Sequence, residues 1–117
     1  MPFKFESLDV WHDAMDLNDK IHKLTKEHFP KDEQFILSPQ IRRASDSIVL
    51  NIAEGCTGQS NATFKNFLNY SLRSGVEVVS CLFLARRRNY INEDLFRPLY
   101  NEIEILSKKI TALRNTL

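Results

Sequence analysis

Apolar residues recur every three or four positions through four long segments of the chain, which is the spacing of an amphipathic α-helix. The first segment predicts a helix from about Leu8 to about His28, and Ser7 is the expected N-cap because a serine oxygen accepts from the free amides there. The buried face of this helix should hold Leu8, Trp11, Met15, Ile21 and Leu24, with Ala14 and Leu17 beside them. Pro30 then marks a linker.

The second predicted helix begins at Ser38–Pro39 and ends at Gly55. Ser38 is the expected N-cap, and Pro39 suits the first helical position because the amide that proline lacks has no helical partner there. Gly55 is expected to end the helix as a C-cap in the left-handed conformation, which glycine adopts without steric cost.

The third helix should start at a cap on Ser60 or Asn61 and continue to about Asn89. Its apolar stripe is widened by Phe67, Val79 and Phe83. Three small residues near the middle, Ser71, Ser74 and Gly75, would let another helix approach closely, because they keep side-chain bulk away from the contact.

The fourth helix should begin after Asn92, with Glu93 and Asp94 in its first turn, where carboxylates suit the helix dipole. Its apolar seam is uninterrupted: Leu99, Ile103, Leu106, Ile110, Leu113 and Leu117. Pro98 falls near the start of this helix and predicts a kink or a short preceding turn.

Four amphipathic helices with short connections predict an all-α fold, an antiparallel up-down four-helix bundle. The chain has only 3 Gly and 4 Pro, which favours long helices over a sheet with many turns. With 117 residues it should form a single domain over 1–117.

The polar residues of the second helix form a stripe, unlike the scattered polar residues of a solvent-exposed surface. The stripe consists of Gln40, Arg43, Ser47, Asn51 and Glu54. Val49, Leu50 and Ala53 lie off its main apolar stripe, so this helix should be covered on more than one side. We therefore expect self-association, with the polar stripe facing a partner or a neighbouring helix. The carboxylate of Glu54 opposes the helix dipole in the last turn and needs a cation nearby. Candidates are Lys65 or Arg73 of the third helix, or Arg43 of another subunit.

The net charge of +1 gives no global signal for nucleic acid. Basic residues are nevertheless concentrated in 56–92, which holds five Lys or Arg and one Asp or Glu. The run Arg86, Arg87 and Arg88 fits a solvated helix end, where cations suit the dipole. Together with Arg42 and Arg43 it could instead form a basic surface for phosphates, although Arg42 could serve Asp46 one turn away.

Other chemistry is not indicated. The three histidines are not spaced to share a helix face, the glycines do not form a phosphate-binding loop, and no base is placed beside a thiol. We expect Cys81 in the core, Cys56 unreactive, and no catalytic residues, metal or cofactor. Exposed stacking aromatics are not evident, which disfavours a sequence-specific single-strand reader. The N-terminus has no signal pattern and no apolar run is long enough to span a bilayer, so we expect a cytoplasmic protein.

The second helix also resembles a known signature. Gln40-Ile41-Arg42-Arg43-Ala44, Ser47-Ile48 and Asn51-Ile52-Ala53-Glu54-Gly55 are similar to the bacterial four-helix-bundle proteins of 23S rRNA intervening sequences, also called S23 ribosomal proteins. Leu8-Asp9-Val10-Trp11 resembles their opening helix, and Ser74-Gly75-Val76-Glu77 their third.

The resemblance implies a ring-shaped homopentamer, as in the related accessory protein of diversity-generating retroelements, which binds nucleic acid. It thereby implies a non-enzymatic oligomeric scaffold that binds RNA or DNA or assists a ribonucleoprotein. The alternative is a protein-interaction module that uses the polar stripe of the second helix and no nucleic acid. On either interpretation, the candidate interface residues are Gln40, Arg43, Ser47, Asn51, Glu54 and Gly55.

Overall fold

The computed structural model describes residues 2–117, which are all-α: four helices and no strand. The helices are α1 (Asp9–His28), α2 (Leu37–Gly55), α3 (Asn61–Arg87) and α4 (Glu93–Asn115). Two short 3-10 helices, Lys4–Ser7 and Lys31–Glu33, precede α1 and α2. Each predicted helix is therefore present, and the differences lie at the ends.

The predicted N-caps of the first two helices are wrong. Leu8 caps α1 without a side-chain hydrogen bond, while the Ser7 hydroxyl donates to the Lys4 carbonyl at 2.9 Å. Ile36 is the N-cap of α2, so Ser38 and Pro39 lie within its first turn. Ser7 is the last residue of the preceding 3-10 helix, and Ser38 lies inside α2 because that helix begins at Leu37.

The ends of α3 and the start of α4 follow local chemistry more closely. Ser60, one of the two predicted caps, caps α3 by accepting from the Thr63 amide. The α4 helix begins after Asn92 as predicted, and the Asn92 side chain caps it by accepting from the Leu95 amide. The α3 helix ends at Arg87, where Asn89 adopts a positive φ of 63° and the Tyr90 amide donates to the Ala85 carbonyl. This is a Schellman ending, with asparagine in the position that glycine usually takes.

Pro98 lies inside α4, which has no separate preceding turn. The proline has no amide to donate to the Asp94 carbonyl four residues earlier, and the helix continues beyond it to Asn115. The apolar seam beyond it is buried as predicted at Leu99, Ile103, Leu106 and Ile110.

Each helix packs against the next one in the chain, and α4 packs back against α1. The α2–α3 contact is close: the Ser71 hydroxyl donates to the Ile48 carbonyl and Ser74 donates to Ser47, each at 2.9 Å. Gly75 is buried against Ile103 and Ser107 of α4. The small residues of α3 therefore face its two neighbours, as their position in sequence predicted.

The core is formed by the inward stripes of all four helices, and its least exposed large side chains include Leu17, Ile21, Ile41, Ile52, Leu68, Leu82 and Phe96. Met15, expected on the buried face of α1, is exposed, and Val10 is buried instead. Within residues 2–117 no helix combines the length and apolar character needed to cross a membrane.

Candidate functional site

The polar stripe of α2 is divided between two roles. Asn51 donates to the carbonyl and the hydroxyl of Ser47, both at 2.8 Å, and Ser74 of α3 donates to the same Ser47 hydroxyl. These three residues are half-buried between α2 and α3. This part of the stripe therefore joins two helices of one chain, which is one of the two arrangements that the sequence left open.

The other residues of the stripe, Gln40, Arg43 and Glu54, are exposed. Glu54 makes no ion pair within residues 2–117, so the expectation that Lys65 or Arg73 of its own chain compensates it is wrong. Arg43 likewise has no carboxylate partner among the described residues. An ion pair between Arg43 and Glu54 of another subunit stays a prediction.

Arg42 is a tether between helices instead of a free cation. Its Nε donates to the Thr25 hydroxyl of α1 at 2.8 Å, and the side chain is half-buried. The alternative pairing with Asp46 is not formed, because Asp46 accepts from Asn18 and is hydrogen-bonded to His22. This contact gives Arg42 a structural role between α1 and α2, while its binding to phosphate stays a prediction.

Gly55 is the last residue of α2, and its predicted left-handed conformation is wrong: the glycine with positive φ is Gly58, at 83°. Gly55 is buried, and a Cβ there would lie 2.7 Å from the Cβ of Phe67 and 2.9 Å from a ring carbon of Phe64. Close approach of α3, and not the turn, requires glycine at this position.

Two of the three arginines at the end of α3 are held by carboxylates. Arg86 pairs with Glu93 at 2.6 Å, and its guanidinium lies 4.0 Å from the centre of the Phe96 ring. Arg88 pairs with Glu33 at 2.9 Å, and the Tyr90 hydroxyl donates to the same carboxylate oxygen at 2.7 Å. The hydrogen bond from Tyr90, followed by the charge of Arg88, holds the pKa of Glu33 below its usual value.

Of the five candidate arginines, Arg43 and Arg87 are exposed and lack an ion-pair partner within residues 2–117. Arg87 ends α3, whereas the hydrogen bonds between α2 and α3 put Arg43 level with Glu77, ten residues before Arg87 and about 15 Å away along α3. These two exposed arginines therefore lie apart, and phosphate binding by the five candidates stays a prediction.

An apolar surface lies on the outer side of α2 and α3, of which the sequence indicated only Leu50 as a residue off the main apolar stripe. Ile36, Leu50, Tyr70 and Leu84 are each more than two-fifths exposed. The hydrogen bonds of Ser47 with Ser74 and of Ile48 with Ser71 set a register that puts Leu50 level with Tyr70 and Ile36 level with Leu84. We call these four residues, with Arg43 and Glu77 between the two levels, the α2–α3 face. Helical spacing alone could not reveal it, because an extra apolar residue beside a stripe can lie inside or outside.

The thiols lack the electropositive setting that lowers a cysteine pKa. Burial raises the pKa of Cys81 to about 11 and also raises that of the half-buried Cys56, which Lys4 only partly offsets. His12 contacts the Glu6 carbonyl, His22 contacts Asp46, and residues 2–117 hold no group of three side chains placed to bind a metal ion.

The model of one protein family matches residues 6–112, nearly the whole chain. The chain belongs to the 23S rRNA-intervening sequence protein family. A search of curated proteins with this chain finds no match. Among solved structures, it is similar to a protein of unknown function from the S23 ribosomal protein family of Bacteroides thetaiotaomicron VPI-5482, with 28% sequence identity and a TM-score of 0.82. The similarity covers 90% of this chain and 97% of the other, so the two molecules share one fold over nearly their whole lengths.

Proposed function

We propose that this member of the 23S rRNA-intervening sequence protein family is a non-enzymatic, homo-oligomeric scaffold that binds nucleic acid. The bundle is taken as antiparallel and up-down, because contacting residue numbers rise in one helix as they fall in its neighbour. Lys20 meets Glu102 while Asp13 meets Lys109, and the α2–α3 hydrogen bonds follow the same rule. Four helices arranged in this way present outer faces on which copies of the chain can pack.

The observation that carries the assembly proposal is the α2–α3 face. Apolar side chains grouped on one exposed face mark interaction sites, whereas single exposed ones do not. Arg43 and Glu54 lie on the same helix and neither forms an ion pair within residues 2–117, so a second copy could satisfy both. We propose a ring of five on the family resemblance, and such a ring requires two different contact surfaces on each subunit.

Nucleic-acid binding is supported more narrowly, by the exposed cations Arg43 and Arg87, which have no ion-pair partner within residues 2–117. A ring would present each of them once per subunit, and weak contacts repeated in this way give avidity. Contacts of this kind would be tolerant of sequence and sensitive to salt. The competing proposal, a protein-interaction module without nucleic acid, is favoured by the three arginines that are held within the chain.

Light scattering after gel filtration tests the assembly. The wild type should show a mass of about five chains, and Leu50→Glu should lower it by placing a charge on the α2–α3 face. Ile105→Glu is the matched control, because Ile105 and Leu50 are both 58% exposed but Ile105 lies on α4. A monomeric wild type at micromolar concentration would overturn self-association, while a different stoichiometry would overturn only the ring of five.

A further inference from the structure

The outer edge between α3 and α4 carries aromatic and arginine side chains in alternation. We call this group the aromatic–arginine edge: Phe83, Arg86 and Arg87 from α3, and Phe96, Arg97 and Tyr100 from α4. Phe96 is fully buried and forms the floor, and Phe83 packs against it with ring centres 4.9 Å apart. Tyr100 completes the cluster at 6.1 Å from Phe83 and 5.7 Å from Phe96.

The guanidinium groups of this edge are held against the rings. Arg86 lies 5.2 Å from the ring centre of Phe83, in addition to its contact with Phe96. Arg97 lies 4.9 Å from the ring centre of Tyr100 and 5.1 Å from that of Phe96. Contacts between arginine and aromatic rings restrict the guanidinium orientation, so these donors lose less freedom when a ligand binds.

The edge has an excess of positive charge. Glu93 is the acid that contacts it, and its two carboxylate oxygens are taken separately by Arg86 at 2.6 Å and Arg97 at 2.8 Å. Arg87 has no carboxylate partner within residues 2–117. Three guanidinium groups therefore face one carboxylate, and a bound anion would meet donors that Glu93 does not fully occupy.

Phe83 also borders open space. A shallow depression of about 500 Å³ lies on this side of α3, lined by Ser80, Phe83, Leu84, Arg86 and Arg87. The Phe83 side chain remains 44% exposed although Phe96, Tyr100 and the Arg86 guanidinium all contact its ring. The sequence placed Phe83 in the buried stripe and found no exposed stacking aromatic, and the structure corrects both points.

We propose that the aromatic–arginine edge binds single-stranded nucleic acid, with an unpaired base stacked on Phe83 and an adjacent phosphate held by Arg87. The inference rests on the proposed nucleic-acid function and adds the strand type and the residues. A base can stack on a side chain only when its face is free, as in a single strand, whereas duplex bases already stack on one another. The edge offers no base-specific donor set, so binding tolerates sequence.

Fluorescence anisotropy with a labelled single strand of about six nucleotides tests the proposal, because that length suits one stacking site and limits bridging between subunits. Phe83→Leu keeps an apolar side chain against Phe96 and Tyr100 but removes the ring face. It should weaken single-strand binding about 5- to 150-fold, which corresponds to about 1–3 kcal/mol per stacked base. Affinity for a blunt duplex should change less than about twofold, since phosphates alone carry that contact.

Phe3→Leu is the control. Phe3 is an exposed aromatic next to Lys4, whose amine lies beside Gly58 before the start of α3, at the opposite end of that helix from Phe83. This variant should bind both substrates as the wild type does. Photo-crosslinking of a halogenated uracil strand should also label the peptide that contains Phe83, independently of affinity.

Several results would overturn the assignment. Equal losses for single strand and duplex in Phe83→Leu, or no loss for either, would remove Phe83 from the site while leaving the nucleic-acid function standing. A lower oligomer mass in Phe83→Leu would identify the edge as a subunit contact. A wild type that binds neither substrate at low salt would overturn the proposed function itself, and the inference with it.

Discussion

Gly55 and Phe67 meet so closely that no side chain larger than hydrogen fits at position 55. A Cβ there would stand 2.7 Å from the Phe67 Cβ, an atom attached directly to the α3 backbone and unable to rotate away. The end of α2 is thereby fixed against the first turns of α3. The glycine that ends the family-like motif is thus explained by packing between two helices.

Gly55→Ala should therefore destabilise the protein, because α2 and α3 must move apart to admit the methyl group. Forced expansion of a packed contact costs about 1–3 kcal/mol. Gly75→Ala is the internal comparison: a Cβ there would meet Ser107 and Ile103 at 3.7 and 3.8 Å, which is ordinary contact. It should stabilise the protein by up to about 1 kcal/mol, the helix-propensity difference between alanine and glycine.

Urea unfolding followed by circular dichroism gives both values on the same scale. The two substitutions are chemically identical and both occur in helices, so opposite signs would isolate the packing effect. Equal changes in the two variants would show that the close contact at Gly55 does not govern stability.

The sequence was sufficient for the helices because their extents follow from the spacing of apolar residues, which each segment carries by itself. The residues that cap the helices were harder to predict from the sequence. Ser60 is the N-cap of α3, as one of the two predicted residues, whereas Ser7 belongs to a 3-10 helix and Ser38 lies inside α2, which begins at Leu37. Where a helix begins depends on how the preceding connection folds, which helical spacing does not encode.

The candidate site was harder to predict from the sequence because the role of each arginine depends on a partner far away in the chain. Arg88 is neutralised by Glu33, 55 positions away, and Arg42 is held by Thr25 of another helix. Neither partner can be recognised from neighbouring residues. Arg86 and Arg87 are adjacent and identical in sequence, yet one is paired and the other is not. Only packing separates a structural arginine from one that is available to a ligand.

Glu33 should make stability dependent on pH in the acid range. Its pKa is lower in the folded protein than in the unfolded chain, where a glutamate titrates at about 4.3. The unfolded state therefore binds the proton more readily, so the contribution of Glu33 is fully present above that pH and is lost as pH falls through the lower folded pKa. The contribution depends on the carboxylate that accepts from Tyr90 and Arg88.

Urea midpoints of the wild type and Glu33→Gln between pH 7 and pH 3 measure this effect. The wild type should be more stable at neutral pH, and the difference should narrow below about pH 4. Glu104→Gln, on the exposed side of α4, should show a much smaller difference across the range. A difference between wild type and Glu33→Gln that stayed constant with pH would mean that the charge on Glu33 is not what stabilises the fold.

Arg87 and Arg88 differ in role although they are neighbours, and the salt dependence of binding separates them. Arg87 is exposed and unpaired within residues 2–117, so Arg87→Gln should leave unfolding unchanged and remove one phosphate contact. The slope of log affinity against log salt on duplex DNA should shrink by about 0.9 for each phosphate that the variant no longer neutralises.

Arg88→Gln should instead lower the urea midpoint, because it removes the cation paired with the buried Glu33 carboxylate, and it should change the slope little. Replacing Arg86, Arg87 and Arg88 together would mix the loss of stability with the loss of phosphate contacts, so single variants are required. If Arg87→Gln and the wild type bind with the same slope, Arg87 does not contact phosphate, and Arg43→Gln becomes the remaining test of phosphate binding by the exposed arginines.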